Sequence, residues 1–187
     1  AQEALETARL APKLDCDEIF RAFKERRLPT QYDSQARYGS PPATIWLSAD
    51  FFVDVYFFSR PRVIAHDHWF HGAFSVLSGA AVETLFRFVP KENLHPHLWL
   101  GVVDPIATHL LVEGDVHTIF PGDRRIHSLW KFTMPCISIV VRTFPSERAN
   151  HYYRPGLRVS ANPSIEPDFP QKRAWCTHLF RSSHSRA

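Results

Sequence analysis

Two histidines one residue apart, His66 and His68, are the residues of this sequence whose type and spacing best suit chemistry. They stand at the end of an apolar run and just before a predicted hairpin. In an extended strand, residues two apart point to the same face, so both imidazoles can converge on one metal ion. The alternative is a plain pair of polar residues at the end of a strand.

A third ligand is expected from a strand that returns beside this pair, and His127 is the candidate. In its segment, Gly114-Asp115 opens one strand, Pro121-Gly122 makes a turn, and His127 lies just inside the strand that follows. The sequence therefore predicts that His66, His68 and His127 meet around a single ion.

Taken together, the His-x-His pair, the Val-Leu-x-Gly hairpin that ends at Gly79 and the Gly-Asp…Pro-Gly…His segment resemble the two motifs of the cupin superfamily. The resemblance covers roughly residues 50–142. It implies a small double-stranded β-helix barrel with one metal ion in its mouth. In the usual pattern a glutamate ligand follows the histidine pair, but the aligned position here is Gly72, with His71 and Ala73 beside it. The resemblance thus implies three neutral histidine ligands.

Within the superfamily, this ligand set and the phrase His-Asp-His-x-x-x-Gly resemble the thiol dioxygenases of the cysteine and mercaptopropionate type. That resemblance implies a ferrous ion with positions open for a thiol substrate and dioxygen. Those enzymes carry Ser-x-His-x-Tyr on a late strand, whereas this chain has Ser138-Ile-Val140-Val-Arg142. Arg142 is expected to point inward and to pair with a substrate carboxylate, because its planar guanidinium suits that geometry. Imidazole suits Fe, Zn, Cu and Ni alike, so the ligands alone do not select iron.

Three residues beside the two histidines are further candidates for a role at the site. His71 has three possible roles: a fourth ligand, a hydrogen-bond partner of a ligand, or an exposed turn residue. We prefer the hydrogen-bond partner, because a ligating histidine needs its other ring nitrogen held. Trp69 is expected to line the substrate pocket. Asp67 should point away from the two histidines and cap or pair with a neighbouring strand.

The candidate site residues lie among short apolar, β-branched and aromatic runs that are separated by turn residues. This pattern predicts a mainly-β fold. The fold class is a cupin double-stranded β-helix, a jelly-roll barrel, with two short N-terminal helices and an irregular C-terminal tail. Asp15 with Glu18 resembles a capping box for the second helix. We expect one domain in three parts: helices and loop at 1–43, the barrel at 44–145 and a C-terminal wrap at 146–187. The predicted strands are 44–47, 51–58, 62–66, 73–77, 82–88, 98–103, 109–112, 116–120, 126–132 and 137–143.

Composition excludes several function classes. The 187 residues suit one domain, the net charge is only +3, and three cysteines lack a CxxC pair, which favours reduced thiols and a cytoplasmic protein. The sequence has no apolar run of about 18 residues, so it predicts no membrane span. The basic tail is better explained as a solvated terminus than as a nucleic-acid site. A lost targeting segment at the N-terminus stays open, because the only methionine is Met134.

These observations predict a metal-dependent enzyme, a non-heme Fe2+ oxygenase that acts on a small thiol or small chelating acid with dioxygen, as a monomer or homodimer. Two alternatives stay open. One is a non-oxidative isomerase or lyase that uses Zn, Mn or Ni at the same ligands. The other is a non-catalytic ligand-binding or sensor module.

Overall fold

The computed structural model describes residues 1–11, 13, 15–31, 42–58, 61–133, 136–145 and 150–160. Two helices, α1 (Gln2–Ala8) and α2 (Cys16–Lys24), precede a set of strands. The strands are β1 (Ala43–Leu47), β2 (Phe51–Phe58), β3 (Arg62–His68), β4 (Gly72–Ser78), β5 (Ala81–His95), β6 (Leu98–Leu111), β7 (Val116–Ile119), β8 (Gly122–Lys131), β9 (Cys136–Thr143), β10 (His151–Arg154) and β11 (Leu157–Ser160). The predicted mainly-β class is confirmed.

The strands form two antiparallel sheets that face each other. One has five strands in the order β1-β2-β9-β4-β7, and the other closes on itself in the order β10-β11-β6-β5-β8-β3. Strands distant in sequence are therefore neighbours in space, as β2 and β9 are along their whole length. This arrangement confirms the predicted jelly-roll barrel.

Alternation along the strands of the five-stranded sheet separates two hydrophobic clusters. Side chains on its inner face, such as Phe58, Phe74 and Val76, fill the barrel. The outer face carries Ile139 and other apolar residues that pack against Leu5 of α1 and Ile19 of α2. The helices thus cover one outer face of the barrel. Asp15 caps α2, because its carboxylate accepts a hydrogen bond from the amide of Asp17 at 2.9 Å, but the Glu18 carboxylate pairs with Arg21 and Arg27 instead of completing a capping box.

The hairpin of β5 and β6 is longer than the predicted strands 82–88, 98–103 and 109–112, because both strands continue through a proline, Pro90 in β5 and Pro105 in β6. Proline cannot donate to the ladder, so strands accommodate it at irregularities. The register of this hairpin shifts next to both residues. The turn that connects the two strands lies between His95 and Leu98.

A second hairpin, β10–β11, lies in the segment predicted as an irregular wrap. It joins the closed sheet, since β11 pairs with β6 and β10 pairs with β3 through Tyr152 and His66. The remaining predicted tail, 161–187, and the loop at 32–41 lie outside the described residues. Within the described part of the chain, neither helix has the length and apolar character needed to cross a membrane.

Candidate metal centre

The three predicted histidines come together inside the barrel. β3 supplies His66 and His68, β8 supplies His127, and His66 and His127 face each other as partners across the two strands. All three side chains are buried, and their ligand nitrogens lie within 4.8 Å of one another. The Nε2 atoms of His68 and His127 are 3.1 Å apart. Two imidazoles bound to one ion at about 2.0–2.1 Å have a similar separation, so the donor set fits a single transition-metal ion.

Two of the rings are held through their other nitrogen. The Nδ1–H of His66 donates to the carbonyl of Ile64 at 2.8 Å, and that of His127 donates to the Glu83 carboxylate at 2.6 Å. These bonds leave Nε2 as the ligating atom of both rings, which is the usual arrangement of metal-binding histidines.

Burial also keeps the imidazoles of His66 and His68 neutral. Removal from water lowers the pKa of His66 to about 3 and lowers the pKa of His68 well below its ordinary value, because burial disfavours the charged form. A neutral imidazole has a nitrogen lone pair available. The pair is therefore ready to bind a cation at physiological pH.

Glu83 is a fully buried carboxylate that the sequence analysis did not single out. It accepts hydrogen bonds from His127 and two from Arg125, the latter at 2.8 and 2.7 Å. Burial alone would raise the pKa of Glu83, but the bond from His127 and the nearby charges outweigh it and lower the pKa to about 2. Its only sequence signal is that it is the single acid in the apolar segment 81–86.

The three rings form part of the wall of a cavity of about 60 Å³ between the two sheets. Pockets for drug-sized ligands measure about 300–1,000 Å³, so this space suits a small molecule. Its surface is mainly aromatic and aliphatic, with few polar groups. The lining residues are Tyr56, Phe58, Val63, His66, His68, Phe70, Phe74, Ile119, His127, Leu129, Ser138, Val140 and Arg142.

The late strand β9 places Ser138, Val140 and Arg142 along this cavity, as their alternate spacing requires. Arg142 is buried, with 5% of its surface exposed, and its Nη2 donates to the Asp54 carboxylate at 2.7 Å. The other oxygen of Asp54 accepts from the Thr44 hydroxyl at 2.8 Å. Arg142 thus points inward, but its charge already has a carboxylate partner.

Trp69 and His71 are not among the residues that line the cavity. β3 ends at His68, so the inward alternation stops before Trp69, whose ring lies 5.4 Å from that of His151. His71 is exposed, and its backbone bonds to Thr143. The structure does not bring His71 to the three histidines, either as a ligand or as their hydrogen-bond partner.

Asp67 points to the opposite face of β3, as expected, and pairs with the neighbouring strand β10. Its fully buried carboxylate accepts bonds from the amide and Nδ1 of His151, at 2.8 and 2.7 Å, and from the Tyr153 hydroxyl at 2.9 Å. The hairpin β10–β11 is therefore attached to β3 between the two ligating positions.

Gly72 occupies the position where the family pattern has a glutamate. A Cβ atom there would lie 2.4 Å from the carbonyl oxygen of Val141, because β9 approaches β4 closely at this point. A side chain at residue 72 is sterically excluded, so three histidines are the complete candidate set among the described residues.

Both motif segments therefore meet across β3 and β8, inside a barrel of two antiparallel sheets. The chain therefore has the β-barrel architecture that the resemblance of its two motifs implies. No protein family model matches the sequence, and no curated protein matches it.

Three solved structures are among those similar to this chain. Hydroquinone 1,2-dioxygenase PnpCD, solved with Cd2+ and 4-hydroxybenzonitrile, is 15% identical, with a TM-score of 0.40 over 55% of this chain and 63% of that chain. The DMSP lyase DddQ from Ruegeria pomeroyi DSS-3 is 17% identical, with a TM-score of 0.40 over 58% and 45%. A sugar phosphate isomerase of a cupin superfamily from Silicibacter pomeroyi DSS-3 is 17% identical, with a TM-score of 0.42 over 65% and 76%.

The matched region spans less than two thirds of the dioxygenase and of the lyase. At such low scores and identities, these likenesses carry no information about the activity of this chain.

Proposed function

We propose that this protein is a mononuclear Fe2+ oxygenase that acts on a small thiol or small chelating acid together with dioxygen. The observation that carries the proposal is the convergence of three buried, hydrogen-bonded imidazoles on one small apolar cavity. Three histidine ligands would leave further coordination positions of a bound ion open to a substrate. A ferrous ion held there would supply the redox chemistry with dioxygen that side chains alone do not perform.

The protein's own residues have three tasks in this proposal. His66, His68 and His127 bind the ion. The aromatic lining, which includes Phe58 and Phe70, excludes water and limits the substrate to a small molecule. The polar groups on the cavity wall orient the substrate.

The polar groups on the cavity wall match those of the thiol dioxygenases only in part. This chain keeps the serine of the late-strand element as Ser138 and replaces the histidine and tyrosine by Val140 and Arg142. Tyr56, however, is the cross-strand partner of Ser138, and both residues line the cavity. A tyrosine on β2 thus lies beside the serine, whereas the late strand has Arg142 in place of its tyrosine.

Oxygen uptake tests the proposal directly. Tag-free protein is loaded anaerobically with Fe2+, its metal content is measured, and oxygen consumption is then followed with a panel of small thiols and small acids. We expect uptake with at least one substrate, loss of iron and of uptake in His127→Ala, and retention of both in His71→Ala, the matched control at an exposed histidine. Full iron occupancy without uptake across the panel contradicts the proposal.

The same preparation separates the two alternatives. Selective retention of Zn, Mn or Ni without oxygen uptake indicates the isomerase or lyase, whereas a biological role that survives in folded His127→Ala indicates the binding module. Either result contradicts the oxygenase.

A further inference from the structure

Lys131 is a buried lysine at the end of β8 that the three-histidine centre does not use. Only 2% of its surface is exposed, and its Nζ has no hydrogen-bond partner among the described residues. This Nζ lies 3.8 Å from the centre of the Phe58 ring, a cation–π contact. Such a contact offsets only a small part of the cost of removing an ammonium group from water. Lys131 therefore brings a poorly compensated positive charge into the barrel.

The inner face of β8 connects Lys131 to the metal cavity. His127, Leu129 and Lys131 follow one another at intervals of two residues and share this face, and the first two line the cavity. Phe58, which the ammonium group contacts, lines the cavity as well. The charge of Lys131 also contributes to the lowered pKa of His66, another lining residue. The field of this ammonium group thus reaches the space where a substrate would bind.

Buried acidic groups near the cavity do not neutralise Lys131. Asp54 pairs with Arg142 at 2.7 Å, and Glu83 pairs with Arg125 at 2.7 Å. Within the described ranges, no carboxylate forms an ion pair with Lys131.

The amine is charged at neutral pH in spite of its burial. Burial lowers the pKa of Lys131 to about 8, which leaves most of the amine protonated at pH 7. The Cys136 thiol on β9 interacts with it, but burial raises the pKa of this thiol and keeps it neutral. The strand neighbours on β2 and β5 are Phe58 and Ala81, which carry no charge.

A bound metal ion would add to this positive charge. Histidine ligands are neutral, so a divalent ion held by three of them keeps its full charge. The ion and Lys131 would then both attract a negative charge in the cavity, and each further negative charge on a substrate would be stabilised by both.

We propose that Lys131 is a specificity-determining residue that selects anionic substrates for the metal cavity and favours a dianion over a monoanion. The inference rests on the proposed function and deepens it. Within each of the two proposed substrate classes, thiols and chelating acids, the preferred member carries an additional carboxylate. Lys131 acts through its charge and is not a metal ligand.

Ligands of different charge, bound to Co2+-loaded protein, test the inference without turnover. Neutral imidazole, 2-mercaptoethanol with one negative charge as its thiolate and thioglycolate with two are titrated into the wild type and Lys131→Met while the Co2+ absorption spectrum is recorded. His127 and Lys131 lie about 13 Å apart along β8, and two unit charges at that distance change a binding constant by about tenfold at an effective dielectric constant of about 20. We therefore expect the variant to bind 2-mercaptoethanol about tenfold and thioglycolate about a hundredfold more weakly, and imidazole with an affinity within about twofold of the wild type.

The affinity for Co2+ itself supplies the second arm. Lys131→Met should bind Co2+ about tenfold more tightly or better, because a positive charge repels the ion. A loss of packing would weaken the ion and its ligands alike, so the opposite sign of the two changes identifies an effect of charge. Lys91→Met, at an exposed lysine on β5, removes the same charge outside the cavity lining and should change none of these affinities.

The outcomes are distinct. If the wild type binds Co2+ and the losses in Lys131→Met do not grow with the charge of the ligand, the inference is wrong while the proposed function stands. If the wild type binds no Co2+, the proposed function fails, and the metal-free protein tests Lys131 alone. Azide at constant ionic strength should then raise the free energy of unfolding of the wild type more than that of Lys131→Met, and equal changes overturn the inference. Lys131→Gln is the second uncharged variant and replaces Lys131→Met if that protein does not fold.

Discussion

Asp67→Ala should weaken metal binding even though the Asp67 carboxylate points away from the three histidines. The carboxylate accepts three hydrogen bonds from His151 and Tyr153. Removing it leaves the buried Tyr153 hydroxyl and the His151 ring without this acceptor, at about 1–3 kcal/mol each. We therefore expect the free energy of unfolding to fall by about 2–5 kcal/mol.

The effect should reach the metal because β3 is irregularly paired at its ligating positions. Its register with β8 shifts between Val63 and His66 and again between His66 and His68. The bonds of Asp67 to β10 therefore fix the strand where the ladder to β8 does not. Loss of groups that orient ligating histidines typically costs about 10–100-fold in metal affinity, and we expect a change in that range.

The assay is a Co2+ titration in competition with a chromophoric chelator, at a temperature where circular dichroism shows the variant fully folded. Asp104→Ala, at a half-exposed aspartate on β6, is the matched control and should leave the Co2+ affinity unchanged. Tyr153→Phe loses one of the three bonds and should show a smaller effect. A folded Asp67→Ala protein with wild-type Co2+ affinity would refute this reasoning.

Three further predictions concern buried groups. Burial lowers the pKa of Lys131 to about 8 from 10.5, so the unfolded chain holds this proton at pH values where the folded chain has lost it. The free energy of unfolding of the wild type, measured in urea melts relative to that of Lys131→Met, should therefore rise by about 3 kcal/mol from pH 8 to pH 10.5, and Lys131→Met should stabilise the protein at pH 7. Glu83→Gln should weaken Co2+ binding about 10–100-fold in the same competition assay, since it removes the charged acceptor of His127. Gly72→Glu should lower the melting temperature without adding a ligand, because a Cβ there overlaps the Val141 carbonyl, and tighter metal binding would contradict this.

The sequence was sufficient to predict the site where the signal is local. The spacing of His66 and His68 places both rings on one face of a strand, and the second motif identifies His127. The apolar alternation likewise located the strands of both sheets to within a few residues, apart from the extended β5 and β6 and the hairpin β10–β11.

The missed features depend on which distant strands become neighbours. Glu83 meets His127 only because β5 lies beside β8, and Asp54 meets Arg142 only because β2 lies beside β9. The hairpin β10–β11 has four-residue strands, and its pairing with β3 and β6 is not encoded in its own composition. Trp69 and His71 lie outside the cavity lining, because β3 and its inward alternation end at His68.

X-ray absorption at the iron edge tests the central claim most directly. Protein loaded anaerobically with one equivalent of Fe2+ should give an iron signal with three imidazole ligands in the wild type, and fewer imidazoles or no bound iron in His127→Ala. A wild-type signal without imidazole scattering, or one that is identical in His127→Ala, would contradict the claim that His66, His68 and His127 hold the ion.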